Sequence, residues 1–144
     1  MITLRHLLET KGYDVWSISP DATVFEAIQR MAEKNIGALI VMEDDRLVGV
    51  ISERDYIRKL KLKGKSSVDT KVSDVMSADV ITLGPDQTLE DCMAVMTKKH
   101  IRHLPIIEDE KVIGIISIGD AVNATIANQE FLIEQLEKYI QQGR

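Results

Sequence analysis

Two short strings in this sequence combine residue types able to hold a charged, sugar-bearing ligand. They are Gly49-Val-Ile-Ser52-Glu-Arg-Asp55 and Gly114-Ile-Ile-Ser117-Ile-Gly-Asp120. In each, an apolar, β-rich run passes through a glycine, leaves at a serine and opens a helix with aspartate as its third residue. The N–H groups of a helix start, together with a serine hydroxyl, form an anion-binding corner. A short aspartate beside that corner can accept two hydrogen bonds from a vicinal diol. The pair of features suits a ribose phosphate. Ser-x-x-Asp is also the spacing of a capping box, which would only satisfy the helix's own donors. Recurrence does not choose between the two, because a duplicated fold duplicates its caps.

A second constellation is His100-Ile-Arg102-His103-Leu-Pro105. Arg102 can grip a phosphate with two parallel bonds, and His103 can add a donor or stack on a base. The plainer reading of His103 is a surface residue at the start of a strand. Catalysis is not expected. No Gly-x-Ser-x-Gly, Walker loop, Gly-x-Gly-x-x-Gly or His-Glu-x-x-His occurs, and His6, His100 and His103 lack metal-ligand spacing. No metal site and no catalytic cofactor are predicted.

The elements that must position these residues come in two copies. Residues 15–55 align with 80–120 without a gap at an offset of 65, which places Asp55 on Asp120. Each copy begins with an extended segment, Val15-Trp16-Ser17 or Val80-Ile81-Thr82, and turns at Pro-Asp. Thr23 with Glu26, and Thr88 with Asp91, then have capping-box spacing. Val24, Ala27, Ile28 and Met31 follow at helical period, as do Leu89, Cys92, Met93 and Met96, with the methionines read as core filler. In copy one, two apolar runs joined by an acidic turn, 38–42 and 47–51, read as a hairpin. Helices are predicted from Glu53 to about Leu60 and from Ile118 to about Ala127. The unit is β-α-β-β-α. About fifty residues bury too little surface alone, so two units are expected to pack about a pseudo-twofold axis in one α/β module.

Repeat 1 is assigned to about 4–60, a linker to 61–71, repeat 2 to 72–126, and a C-terminal helix to 127–142. Val72-Ser-Asp-Val-Met76 resembles Leu4-Arg-His-Leu-Leu8, so each repeat has a short leading helix. The tail places Leu132, Leu136, Tyr139 and Ile140 on one face, for its own module or a partner subunit. The 144 residues are 44% hydrophobic and 28% charged, an ordinary globular composition. A net charge of −5 argues against nucleic acid as the main partner. The basic stretch Arg54, Arg58, Lys59, Lys61, Lys63, Lys65 reads as a solvated helix end and linker. No apolar run suits a membrane span, the start lacks the pattern of a secretory signal, and Cys92 is the single cysteine. A cytoplasmic protein is expected.

From residue 4 to 126 the chain resembles a pair of CBS domains, on the duplicated Gly-h-h-Ser-x-x-Asp and the strings Ser52-Glu-Arg-Asp-Tyr56, Arg102-His-Leu-Pro105 and Ser117-Ile-Gly-Asp120. The resemblance implies a regulatory module that binds an adenosine ligand (AMP, ADP, ATP, NAD or S-adenosylmethionine) between its repeats. It further implies ribose contacts at Asp55 and Asp120 and phosphate contacts near the serines. Carried over, one site combines Ser52, Arg54 and Asp55 with Val80, Ile81, Arg102, His103 and Pro105. The other combines Ser117 and Asp120 with Val15, Trp16, Gly37 and Ala38, and Arg102 is free to turn toward Asp120. Copy one has Gly37, Ala38 and Ile40 where copy two has Arg102, His103 and Pro105, so the Asp55 site is expected to grip phosphate more strongly. A homodimer, with helical faces joined into a flat disc, and an effector protein that reads the signal are implied too. The rival reading is an interaction module with vestigial clefts, which binds no nucleotide.

Overall fold

The capping boxes form where the threonines stand. Thr23 Oγ1 accepts from the Glu26 N–H at 3.1 Å while the Glu26 carboxylate accepts from the Thr23 N–H, and α2 (Val24–Lys34) starts there. Thr88 and Asp91 do the same for α4 (Leu89–Lys99). The expected stripes point inward: Val24, Ala27 and Met31 are buried on one helix, Leu89, Cys92 and Met96 on the other. Both helices end on a left-handed residue, Asn35 or His100, which turns the chain into its hairpin.

The structure, a computed structural model, describes residues 1–142. Preceding α2 are α1 (Leu4–Lys11) and the short β1 (Ser17–Ile18). The hairpin of copy one is β2 (Ala38–Glu43) and β3 (Arg46–Ser52), antiparallel, with β1 parallel to β2. The hairpin of copy two is β4 (His103–Glu108) and β5 (Lys111–Ser117). After β3 come one turn of helix, α3 (Glu53–Asp55), a wider π-helical turn (Tyr56–Leu60) and a 3₁₀ turn (Lys61–Lys63). After β5 comes α5 (Ile118–Gln142).

The leading strands correct the sequence expectation. In copy one the paired residues are Ser17 and Ile18, two places later than Val15. In copy two the strand shrinks to a single bridge, Leu83 to Ile106. Proline explains this. In copy one the Ile40 N–H donates to the Trp16 carbonyl at 3.3 Å. Pro105 stands in the place of Ile40 and has no N–H, so that rung cannot form at the twin carbonyl of Ile81. The tail needs a second correction: no separate helix begins near 127, because α5 runs unbroken through that point. Beyond Gly119, the chain to Gln142 contains neither glycine nor proline to stop it.

The leading helices cross over. Leu4, Leu7 and Leu8 of α1 are buried with Leu89, Cys92, Met96, Leu104, Ile106, Ile116 and Ala121, in the core of copy two. Val72 and Val75 of a short 3₁₀ turn (Val72–Asp74 and its cap) are buried with Val24, Met31, Leu39, Val41 and Ile51, in the core of copy one. Each leader presses a side chain over the glycine of the opposite hairpin. A Cβ on Gly114 would meet Leu8 Cδ2 at 2.6 Å, and one on Gly49 would meet Met76 Sδ at 2.5 Å. Arg5 on α1 reinforces the exchange through ion pairs to Glu108 and Asp86, and its guanidinium holds the Glu108 carboxyl below the usual carboxylate range. The two repeats therefore share both cores. That supplies the buried apolar area a single unit would lack.

Candidate functional site

Both Ser-x-x-Asp strings form capping boxes. The Ser52 N–H donates to Asp55 Oδ2 at 2.9 Å and the Asp55 N–H to Ser52 Oγ at 3.2 Å. The matching distances for Ser117 and Asp120 are 2.8 and 3.1 Å. Each strand-to-helix corner is also pinned to its hairpin, by Glu53 N–H to the Gly37 carbonyl and Ile118 N–H to the Arg102 carbonyl. Capping thus occupies one carboxylate oxygen of each aspartate. At Asp55 the other oxygen, Oδ1, faces Lys59 Nζ at 3.2 Å.

Asp55 lies in a cleft of about 480 Å³ between the two copies. Within the range of small-molecule pockets, roughly 300–1,000 Å³, this is room for one compact ligand. Ser52, Arg54 and Asp55 line one wall, and Val80, Ile81, Arg102 and His103 line the other. Seven of the residues expected to share a site therefore do so. Pro105 does not line the cleft; it pairs with Ile115 deeper in the hairpin and is buried. Gly37, expected in the second site, belongs to this cleft instead. A Cβ there would meet Glu53 Oε1 at 2.8 Å and His103 Nε2 at 3.4 Å, so a side chain at 37 would have to push the Glu53 carboxylate aside.

The cleft is richer in cations than the sequence reading allowed. Arg58, Lys59 and Lys99 join Arg54 and Arg102 around it, against the acids Glu53, Asp55 and Asp79. Part of the supposedly solvated basic stretch thus faces a cavity. The signal was present in the spacing: Arg58 and Lys59 stand four residues after Arg54 and Asp55 and share their helix face. Ser77 and Asp79 were missed because they belong to a bend whose position only the crossover sets. Arg54 is partly committed, since its Nη1 donates to the His100 carbonyl at 2.8 Å and so ties one copy to the other.

His103 stands between the copies. Burial lowers its pKa first, and the Lys11 and Arg102 charges lower it further. Asp120 and Asp55 pull the other way without reversing the sign. The imidazole is accordingly neutral at pH 7, with one donor and one acceptor.

The surroundings of Asp120 differ. Lys11 Nζ lies 2.7 Å from Asp120 Oδ2 and also donates to the Ile115 carbonyl. Burial works to raise the Asp120 carboxyl, but the bonds from Lys11 and Ser117 outweigh it and hold the group below the usual carboxylate range. The open volume beside Asp120, about 660 Å³, is a groove between α1 and α5 lined by Leu7, Lys11, Ala124 and Phe131 among others. It includes none of Val15, Trp16, Gly37 and Ala38. Trp16 instead lies under Lys34, whose Nζ is 4.1 Å from the ring centroid. The second expected grouping is not gathered around this groove.

Duplicated Ser-x-x-Asp corners, exchanged leaders and a cleft between the copies define the architecture. The CBS-domain family profile matches twice, over residues 4–62 and 72–126. The chain belongs to the CBS-domain family. Among its relatives is the Arabidopsis thaliana CBS domain-containing protein CBSX3, mitochondrial, 38% identical over 98% of this chain and 73% of the relative. The crystal structure of the CBS domain of NE2398 has a TM-score of 0.83 at 49% identity, covering 86% of this chain and 97% of that one. The CBS pair of MJ0100, solved with 5′-methylthioadenosine and S-adenosyl-L-methionine, shares the fold at 21% identity, with a TM-score of 0.78 over 89% and 98% of the two chains. In this CBS pair no helix among the described residues is long and apolar enough to cross a membrane.

Proposed function

We propose that this CBS pair is a regulatory module that binds an adenine nucleotide in the Asp55 cleft and passes the signal to a protein partner. The observation that carries the reading is the convergence of Asp55 and Ser52 from one repeat with Val80, Ile81, Arg102 and His103 from the other. Asp55 is the ribose acceptor, the apolar Val80 and Ile81 flank the adenine, and Arg102 with Arg58 and Lys59 meets the phosphates. The surplus of cations favours AMP, ADP, ATP or NAD over S-adenosylmethionine, whose sulfonium is positive. The adenosine ligands of the MJ0100 pair support the class of ligand and not its identity. Because both walls contact one molecule, the ligand would alter how the repeats sit together, and a partner that prefers one arrangement would read it.

The module works as a regulator and not as an enzyme: Ser52 and Ser117 are spent as helix caps. We also infer a homodimer. Val122, Ile126, Ile133, Leu136 and Ile140 follow one another at steps of four, seven, three and four along α5, interrupted only by the polar Gln129 and Glu130, and are between 42% and 61% exposed, the pattern of a helix seam awaiting a second helix. The proposed compartment is the cytoplasm, whose reducing conditions suit a single buried thiol.

Isothermal titration of nucleotide-stripped protein with AMP, ADP, ATP, NAD and S-adenosylmethionine tests the reading, with Asp55→Asn as control. Asparagine keeps a capping oxygen but loses the charge, so the fold should survive while affinity drops about tenfold or more. Saturable binding that Asp55→Asn weakens supports the nucleotide reading. No heat with any of the five ligands rejects it and leaves the interaction module.

A further inference from the structure

The two halves of the chain differ most at one point, the exit from the leading helix. Leu8 and Met76 are equivalent, each lying over the glycine of the opposite hairpin. Beyond them the halves diverge in length. Residues 9–14 separate Leu8 from Val15, whereas only 77–79 separate Met76 from Val80. In the second half that short stretch is a bend, and its Ser77 and Asp79 line the open Asp55 cleft. In the first half α1 continues for three more residues and ends in Lys11. No residue of the other half corresponds to Lys11.

Its side chain goes to Asp120, the second signature aspartate. Lys11 Nζ sits 2.7 Å from Asp120 Oδ2 and donates also to the Ile115 carbonyl, so it bridges the signature aspartate and the strand before it. Lys11 and Asp120 are only 29% and 24% exposed at their side chains. The equivalent contact at Asp55 is of another kind. Lys59 comes from the next helical turn four residues on, is 41% exposed, and reaches the other half only through a long 3.4 Å bond to Ser77 Oγ. Its counterpart next to Asp120 is Ala124. Asp120 has therefore lost the lysine of its own helix and gained one delivered across the module by α1.

We propose that Lys11 is a tethered cation that holds the Asp120 carboxylate away from a second nucleotide, making the two signature aspartates of this CBS pair unequal: the Asp55 cleft fills first, and Asp120 accepts a ligand only when the end of α1 lets go. The inference rests on the nucleotide reading given above. Since α1 is part of the core of copy two, binding at Asp120 has a mechanical consequence that binding at Asp55 does not: it loosens the last turn of α1 from α5.

The test is equilibrium dialysis of AMP, and separately ATP, against the full chain, Lys11→Ala and Lys11→Arg. The wild-type chain should bind one nucleotide per chain before any second one. Lys11→Ala should bind two, with the second site tightened about tenfold or more, the scale of one charge-assisted hydrogen bond. Lys11→Arg, which keeps the charge, should behave like the wild type. Two equal sites in the wild type, one site in Lys11→Ala, or an open second site in Lys11→Arg would each overturn the proposal. Binding by none of the three would sink the nucleotide reading itself. The tether is then judged alone, by the carboxyl carbon shift of Asp120. Its midpoint should rise in Lys11→Ala, and an unchanged midpoint overturns the tether.

Discussion

Leu8→Ala is the most direct trial of the crossed leaders. Leu8 is fully buried and lies among Leu104, Ile106 and Ile116 of copy two, far along the chain from its own hairpin. Truncating a buried leucine removes its transfer energy and leaves a cavity, together costing about 2–5 kcal/mol. A chain of this size has roughly 5–15 kcal/mol of total stability, so the loss should be plain in a urea unfolding curve. Location is the stronger evidence. Under native conditions, amide exchange should quicken first in β4 and β5 and later in β2 and β3. A double-mutant cycle sharpens this further. Gly114→Ala alone places a Cβ 2.6 Å from Leu8 Cδ2 and should destabilise. With Leu8→Ala present that clash is gone, so the two costs should fall short of additive by about 1 kcal/mol. Strict additivity, or loosening confined to β2 and β3, would refute the crossover.

Three further outcomes follow from the charges and the exposed surface. The His103 ring protons should titrate with a midpoint below 6.5, because burial and then Lys11 and Arg102 disfavour its cation despite Asp120 and Asp55. The unfolded chain then takes up that proton first, so the contribution to stability is whole above about pH 6.5 and shrinks as pH falls through the folded midpoint. A rise in unfolding temperature on acidification from pH 7 to 6, with His103→Gln showing none, would contradict this. Cys92, pushed up to about 11 by burial and secondarily by the Asp120 charge, should resist a thiol reagent at pH 7.5 until the chain unfolds. Ile133→Asp together with Leu136→Asp should halve the mass measured by light scattering while leaving the circular dichroism of the repeats intact; an unchanged mass would remove α5 from the dimer interface.

Much of this protein is written locally. The threonine and serine caps and the apolar stripes depend on residues within four places of one another, and all form as their spacing requires, in both copies. The Asp55 cleft was legible too, because a repeated motif and a family resemblance together say which strand faces which helix. Where the sequence reading went astray, the deciding contact was remote. Nothing near Val80 announces that its strand will fail; the cause is the missing N–H of Pro105, which matters only once the two segments lie side by side. Gly37 looked like a wall of the second cleft, yet Glu53 and His103 close on it in the first. Arg58 and Lys59 looked like solvent-facing charge until the bend at Ser77–Asp79 made a cavity before them.

What the sequence determined by itself is where the capped helices and the hairpins lie and which residues repeat, since helix caps, turns and periodic burial are short-range physics. Which half completes which core was decided only by the tertiary structure, because Leu8 over Gly114 and Met76 over Gly49 are contacts between distant segments that no spacing encodes. The inequality of the two aspartates has the same origin. Asp55 and Asp120 sit in identical motifs, and they differ because three extra residues of helix carry Lys11 across the module to one of them.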